Sequence, residues 1–217
     1  MKCVKPLLVT CALFAAGSAN AAITIYTSQA AFLAAVTAPA VDTFEDFSIT
    51  GTTASPVTRA VGTYGYTASA AQLFFGAGSN ADHWLSTNSA TNPIVLSLFT
   101  GGVKGVGAFF FGSEIDGSFK AGNINLSATD GSGTVNQSVI GATTGSFVGF
   151  VTDGAFSQII VASVQPAVTS LWPTVNDLTL AGVAAAPGIP EPGTWALMIA
   201  GFGLVGSAMR RKAFAAA

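Results

Sequence analysis

Apolar residues through the middle of the chain come in short runs, many alternating with polar ones and each broken by Gly, Asn, Asp or Ser. Successive strand side chains point to opposite faces, so a period of two predicts strands with one buried face. The clearest runs are Ile94 to Phe99, Val106 to Phe111, Ile124 to Thr129, Val135 to Ile140, Phe147 to Thr152, Ile159 to Val164 and Leu178 to Val183. They are rich in Val, Ile, Phe and Thr, which suit a pleated surface. Turn signals such as Asp116-Gly117 and Asp130-Gly131-Ser132-Gly133 lie between them, at intervals of roughly ten to fifteen residues that match antiparallel hairpins.

Ahead of these runs, Ile23 to Tyr26 reads as a short strand, and Ser28 can cap a brief helix through Val36 whose Phe32, Leu33 and Val36 share one side. No later segment before residue 184 has a helical period. Crossover helices between parallel strands are therefore missing, and an α/β architecture is disfavoured. The expectation is an all-β, single β-sandwich ectodomain over residues 22–183, jelly-roll-like because sandwiches of about eight or more strands commonly take that form. Ala184 to Ile189 breaks the pattern and reads as a linker.

The two ends have a different composition. Lys2 and Lys5 precede the apolar stretch Leu7 to Ala16, and Ala19-Asn20-Ala21 places small residues one and three positions before a bond. These are the three parts of a secretory signal peptide spanning residues 1–21, with Ala19 and Ala21 read by signal peptidase after passage through the Sec machinery. Thr10 before Cys11, with little apolar sequence ahead of it, excludes a lipoprotein cleavage site. Cys3 and Cys11 are both in the removed segment, so the exported part has neither a disulfide nor a thiolate nucleophile. Its stability then rests on its own core.

At the other end, Pro190-Glu191-Pro192 is followed by Gly193-Thr194, Trp195-Ala196, an apolar run to Met209 and then Arg210-Arg211-Lys212. The fifteen residues from Trp195 to Met209 make about 22 Å of helix against a hydrocarbon core of about 30 Å, a marginal span. Arg210, Arg211 and Lys212 act as a membrane stop on the cytoplasmic side, which leaves the ectodomain outside, and Trp195 suits the outer interface. Pro190 and Pro192 prevent helix from continuing upstream and keep Glu191 in an extended segment.

This order and spacing resembles the PEP-CTERM sorting signal, in the variant that reads Pro-Glu-Pro, two residues, Trp-Ala. The resemblance covers residues 190–217: motif 190–196, transmembrane helix about 194–209 and basic tail 210–212. It implies that the chain is a substrate of an exosortase, a membrane-embedded cysteine transpeptidase, in bacteria that also make exopolysaccharide. The chain is then anchored transiently in the inner membrane and passes to the cell envelope, cell surface or extracellular space.

Charge narrows the ectodomain's partners. Arg59, Lys104 and Lys120 stand against Asp42, Glu45, Asp46, Asp82, Glu114, Asp116, Asp130, Asp153 and Asp177, a net charge of minus six. Without a basic cluster, nucleic acid and anionic lipid are poor partners. Catalytic residue types are sparse: His83 is the single histidine, and no Gly-x-Ser-x-Gly elbow occurs. One imidazole also falls short of a usual zinc site.

Two clusters remain. If early and late strands lie side by side, Glu45 or Asp46 can meet Asp177 and coordinate a calcium ion together with backbone carbonyls; the favoured reading is that these carboxylates are solvated turn residues or strand-end caps. Pyranose rings stack on aromatics, which makes Trp84, Trp172, Tyr64 and Tyr66 the glycan candidates, although for Trp84 core packing is the favoured reading because folding consumes most large aromatics. Trp84 lies in Asn80-Ala81-Asp82-His83-Trp84 and Trp172 precedes Pro173; both stretches read as loops. The ectodomain is expected to be a non-catalytic module associating with exopolysaccharide. The alternatives are a secreted glycan-acting or ester hydrolase and a ligand-free structural matrix protein.

Overall fold

The computed structural model describes residues 22–184 and 197–204. The signal segment 1–21, the sorting motif 190–196 and the basic tail 210–212 lie outside the described residues, as do 185–189 and 205–209. The helix expected near the start forms as α1 (Gln29–Ala35): Ser28 has extended backbone and its hydroxyl accepts the Ala31 amide at 3.5 Å. Around it run β1 (Thr24–Tyr26), β2 (Thr37–Asp42), β3 (Thr52–Thr53), β4 (Val57–Val61) and β5 (Tyr64–Ser69). The chain continues through β6 (Phe74–Ser79), β7 (Asp82–Thr87), β8 (Ile94–Thr100), β9 (Gly105–Ser113) and β10 (Phe119–Lys120). It finishes with β11 (Gly122–Asp130), β12 (Gly133–Ala142), β13 (Phe147–Val151), β14 (Phe156–Ser163) and β15 (Trp172–Gly182).

The strands form two antiparallel sheets. The larger has the order β1-β13-β9-β15-β7-β6-β3, with β10 beside β9 and β2 beside β15; the smaller has the order β12-β11-β14-β8-β5-β4. The all-β, two-sheet expectation holds. The chain crosses between the sheets at each step from β7 to β9 and from β12 to β15, and the orders β7-β15-β9-β13 and β8-β14-β11-β12 are those of the two four-stranded sheets of a jelly roll, with β6 and the β4–β5 hairpin added at their edges. Val106, Phe110, Val175 and Leu180 of the larger sheet and Ile94, Leu96, Ile124, Leu126 and Val161 of the smaller one fill the core. Those of the smaller sheet belong to alternating runs, which is why the sequence located its strands β8, β11 and β14.

A second, smaller cluster seats α1. Phe32 packs with Val36, Phe147 and Ala181, and the strands beneath it carry glycines where its ring lies. A Cβ at Gly149 would stand 2.4 Å from the Phe32 ring, and one at Gly107 would stand 3.1 Å from it.

Two readings from sequence are corrected. Asn80 to Trp84 is not a loop: Ser79 pairs with Asp82 across a two-residue turn, and Trp84 lies inside β7. Trp172 likewise opens β15, pairing with Ser113 of β9. The front of β15 escaped notice because a bulge between Asn176 and Thr179 breaks its alternation, with Asp177 at a φ of 50°.

Candidate functional site

The expected juxtaposition of early and late strands is present. In the β2–β15 pairing Asp42 is opposite Leu178 and Ala40 opposite Leu180. The segment after β2 consequently meets the β15 bulge. There, burial first and then the charges of Asp82 and Glu45 push the Asp177 carboxyl above the ordinary carboxylate range. Asp82 accepts Trp84 Nε1 at 2.8 Å and Asn176 Nδ2 at 3.1 Å. Glu45 accepts the His83 amide at 3.2 Å, while His83 Nδ1, buried without a hydrogen-bond partner, is 3.8 Å from the other Glu45 oxygen.

Asp46 does not join this group. Arg59 Nη1 and Nη2 donate to its carboxylate at 2.9 and 2.7 Å, and these bonds hold its carboxyl below the usual range. Of the two carboxylates expected to meet Asp177, Asp46 is taken up by Arg59 of β4, whereas Glu45 lies close enough to act on Asp177 through its charge. Among the described residues, no group of three or more His, Cys, Asp or Glu side chains is arranged to hold a metal ion.

Arg59 is instead the centre of a structural knot that the sequence did not disclose. It donates to Asp42 from Nε at 2.6 Å and from Nη2 at 2.7 Å, and Tyr66 OH donates to the same carboxylate at 2.8 Å. The guanidinium lies 4.8 Å from the Phe47 ring centroid and 5.4 Å from that of Phe44. Burial opposes its charge, but the two carboxylates prevail and raise its pKa. Burial and the Asp42 charge likewise raise the Tyr66 phenol. Tyr64 OH adds a bond to the Ala38 carbonyl at 3.0 Å. These links join β2 of the larger sheet to β4 and β5 of the smaller one.

The aromatic candidates separate accordingly. Tyr64 and Tyr66 are buried with their hydroxyls engaged. Trp84 is 9% exposed and meets Phe111 edge-on at a centroid distance of 4.8 Å. Its face is consumed by packing and its indole N–H by Asp82. Trp172 is the exception: half-buried, it lines a cleft of about 180 Å³ with Ser86, Asn88, Ser113, Glu114 and Ile115. The cleft is built from strand ends of the larger sheet and the turn between β9 and β10. That turn is fixed by Asp116, which accepts the Ser118 amide and hydroxyl at 2.9 and 2.6 Å. On the cleft floor Ser113 Oγ accepts Thr174 Oγ1 at 2.9 Å, and Ser86 Oγ donates to the Pro173 carbonyl at 3.1 Å. Lys120 pairs with Glu114 at 2.8 Å. Sequence reasoning named Trp172 but missed its neighbours, because Ser86, Asn88 and Glu114 come from segments far apart in the chain.

Residues 197–204 are helical, and Leu197, Ile199, Phe202 and Leu204 are each more than 70% exposed. Among the described residues no helix is long and apolar enough to cross a membrane. Residues 188–212 match the family model described as the PEP-CTERM protein-sorting motif. The chain carries a PEP-CTERM sorting motif. It is thus an exported, envelope-associated protein sorted through its C-terminal signal, and the motif is one that an exosortase recognises. Outside the PEP-CTERM segment the comparisons say little. No curated protein is significantly similar to the chain. A solved structure titled "Crystal structure of Agl-KA catalytic domain" aligns over 67% of this chain and 31% of its own length, at 13% identity and a TM-score of 0.30. That likeness is too slight to bear on function.

Proposed function

We propose that this PEP-CTERM chain is held in the inner membrane, ectodomain outside, by a single helix over residues 194–209 and is cut by an exosortase near Pro190-Glu191-Pro192. Its β-sandwich then associates with exopolysaccharide at the cell surface or in the extracellular matrix, without catalysing its turnover. The exposed apolar residues of 197–204 support the membrane step, since such a stripe is unfavourable in water and favourable in lipid. The cleft at Trp172 carries the glycan reading. It sets one partly accessible indole beside hydroxyl, amide and carboxylate groups, the combination that a sugar's apolar face and hydroxyls require.

The test is glycan binding by the purified exported domain. Trp172→Ala should abolish retention on the exopolysaccharide while leaving the melting temperature within a few degrees of the parent, and Trp84→Phe should leave retention intact. Equal retention by the Trp172 variant would remove the cleft from the function. Turnover of a glycan or ester library, lost on His83→Ala, would instead establish the secreted hydrolase.

A further inference from the structure

The edges of the two sheets are treated very differently. In the larger sheet the terminal strands β1 and β3 have three and two residues, and β10 has two. β2 contains Pro39, and β4, one edge of the smaller sheet, has five residues, contains Arg59 and follows Pro56. Short length, charge and proline are the ordinary means of stopping strands from adding to an edge. β12, the other edge of the smaller sheet, has none of them. It is ten residues long, Gly133-Thr134-Val135-Asn136-Gln137-Ser138-Val139-Ile140-Gly141-Ala142, without charge or proline, and β11 is its one strand partner among the described residues.

Its geometry is suited to pairing. The register with β11 runs unbroken from Ile124↔Val139 to Asp130↔Gly133. Because the two-residue turn closes on the Asp130↔Gly133 pair, alternate residues from Gly133 bond to β11, and the backbone groups of Thr134, Asn136, Ser138 and Ile140 face the open side. Gln137 Nε2 caps the Ser138 carbonyl at 2.9 Å, a side-chain bond that another strand can displace. Ile140 is 75% exposed, and a groove of about 290 Å³ follows the strand past Gln137 and Val139 toward Phe147.

We propose that β12 is a self-association edge, where a second copy of this chain pairs antiparallel through its own β12 to make a continuous twelve-stranded sheet. A two-fold axis at Gln137 sets Asn136 opposite Ser138 of the second copy and Thr134 opposite Ile140, the longest overlap that the strand allows. Charge selects this occupant. The domain carries nine carboxylates against three cations, so copies repel over most of their surface. The face continued across the new junction holds Thr134, Asn136 and Ser138 on β12 and Asn125, Ser127 and Thr129 on β11, all uncharged. Like copies meet there without repulsion, and sorting to one membrane concentrates them.

The test is sedimentation equilibrium of the exported domain with cysteine trapping. The parent should dimerise with concentration, and the Asn136→Lys, Ile140→Lys double variant, altered at two exposed positions, should be monomeric at an unchanged melting temperature. The exported chain has no cysteine. Gln137→Cys places two sulfurs at the axis, where facing Cα atoms about 4.5 Å apart fall within disulfide reach, and should oxidise to a covalent dimer. Thr58→Cys, on the opposite edge of the same sheet, should not. A parent that is monomeric throughout, with Gln137→Cys oxidising no faster than Thr58→Cys, overturns the proposal. Dimerisation that survives the double lysine variant also overturns it, by placing the contact elsewhere.

Discussion

Arg59 and Asp42 form a two-pronged ion pair, Nε to Oδ2 at 2.6 Å and Nη2 to Oδ1 at 2.7 Å, with side chains 13% and 6% exposed. It joins a strand of one sheet to a strand of the other, so the pair holds the seam of the sandwich. Removing the cation leaves a buried carboxylate with Tyr66 OH and the Phe44 amide as its remaining donors. Arg59→Met should therefore destabilise the domain by about 3 kcal/mol or more in chemical denaturation, and Arg59→Lys, which lacks the planar fork, should recover less than half of that. Asp46→Asn should cost less than about 1 kcal/mol, because that carboxylate is 67% exposed and its attraction to Arg59 is screened. The Asp46 contribution is present at neutral pH and is lost as pH falls through its lowered pKa.

Asp177 has the opposite sign. Its folded-state pKa is raised, so the folded protein binds its proton more tightly than the unfolded chain does, and ionisation is destabilising as pH rises through the raised value. Asp177→Asn should increase stability at pH 7 by a few tenths to about 1 kcal/mol, discounted for its partial exposure. The gain should vanish once pH falls below the ordinary carboxylate range. Asn also tolerates the φ of 50° at this bulge. A gain independent of pH would show that the carboxylate's charge is not its cause.

Phe32 and Gly149 test how α1 is docked. A methyl at Gly149 would stand 2.4 Å from the Phe32 ring, so Gly149→Ala should cost about 1 to 3 kcal/mol through overpacking, while Phe32→Ala should cost about 3 to 5. Because both act at one contact, the double variant should lose less than the sum of the two, measured as a double-mutant cycle.

For the tail, the full-length precursor should appear first as an inner-membrane species, and mass spectrometry of the mature protein should find no peptide beyond the sorting motif. Pro190→Ala with Pro192→Ala lets helix extend upstream and ties the scissile backbone into hydrogen bonds, so uncut precursor should accumulate. Neutralising Arg210, Arg211 and Lys212 should act differently, by weakening the stop-transfer signal. Normal release of the proline variant, with Trp195 to Lys212 retained, would make the segment a plain anchor.

The sequence by itself determined the exported architecture, the helix capped by Ser28 and the strands whose side chains alternate cleanly, because capping, alternation and membrane sorting are all written in local residue order. The sorting motif was legible for the same reason: it acts as a short linear segment. Strands that begin with polar residues, such as Asp82-His83-Trp84, or that carry a bulge, as at Asp177, were not legible, since cross-strand pairing sustains them where the local pattern does not. The tertiary structure alone decided which carboxylates are free and which aromatics are open. Asp46 was drawn to Arg59 because the sheets meet there, and Trp84 was enclosed by Phe111, whereas Trp172 kept one side open beside the turn between β9 and β10, which lies far from it in the chain. Long-range packing assigns each polar group its partner, and that assignment has no local signature.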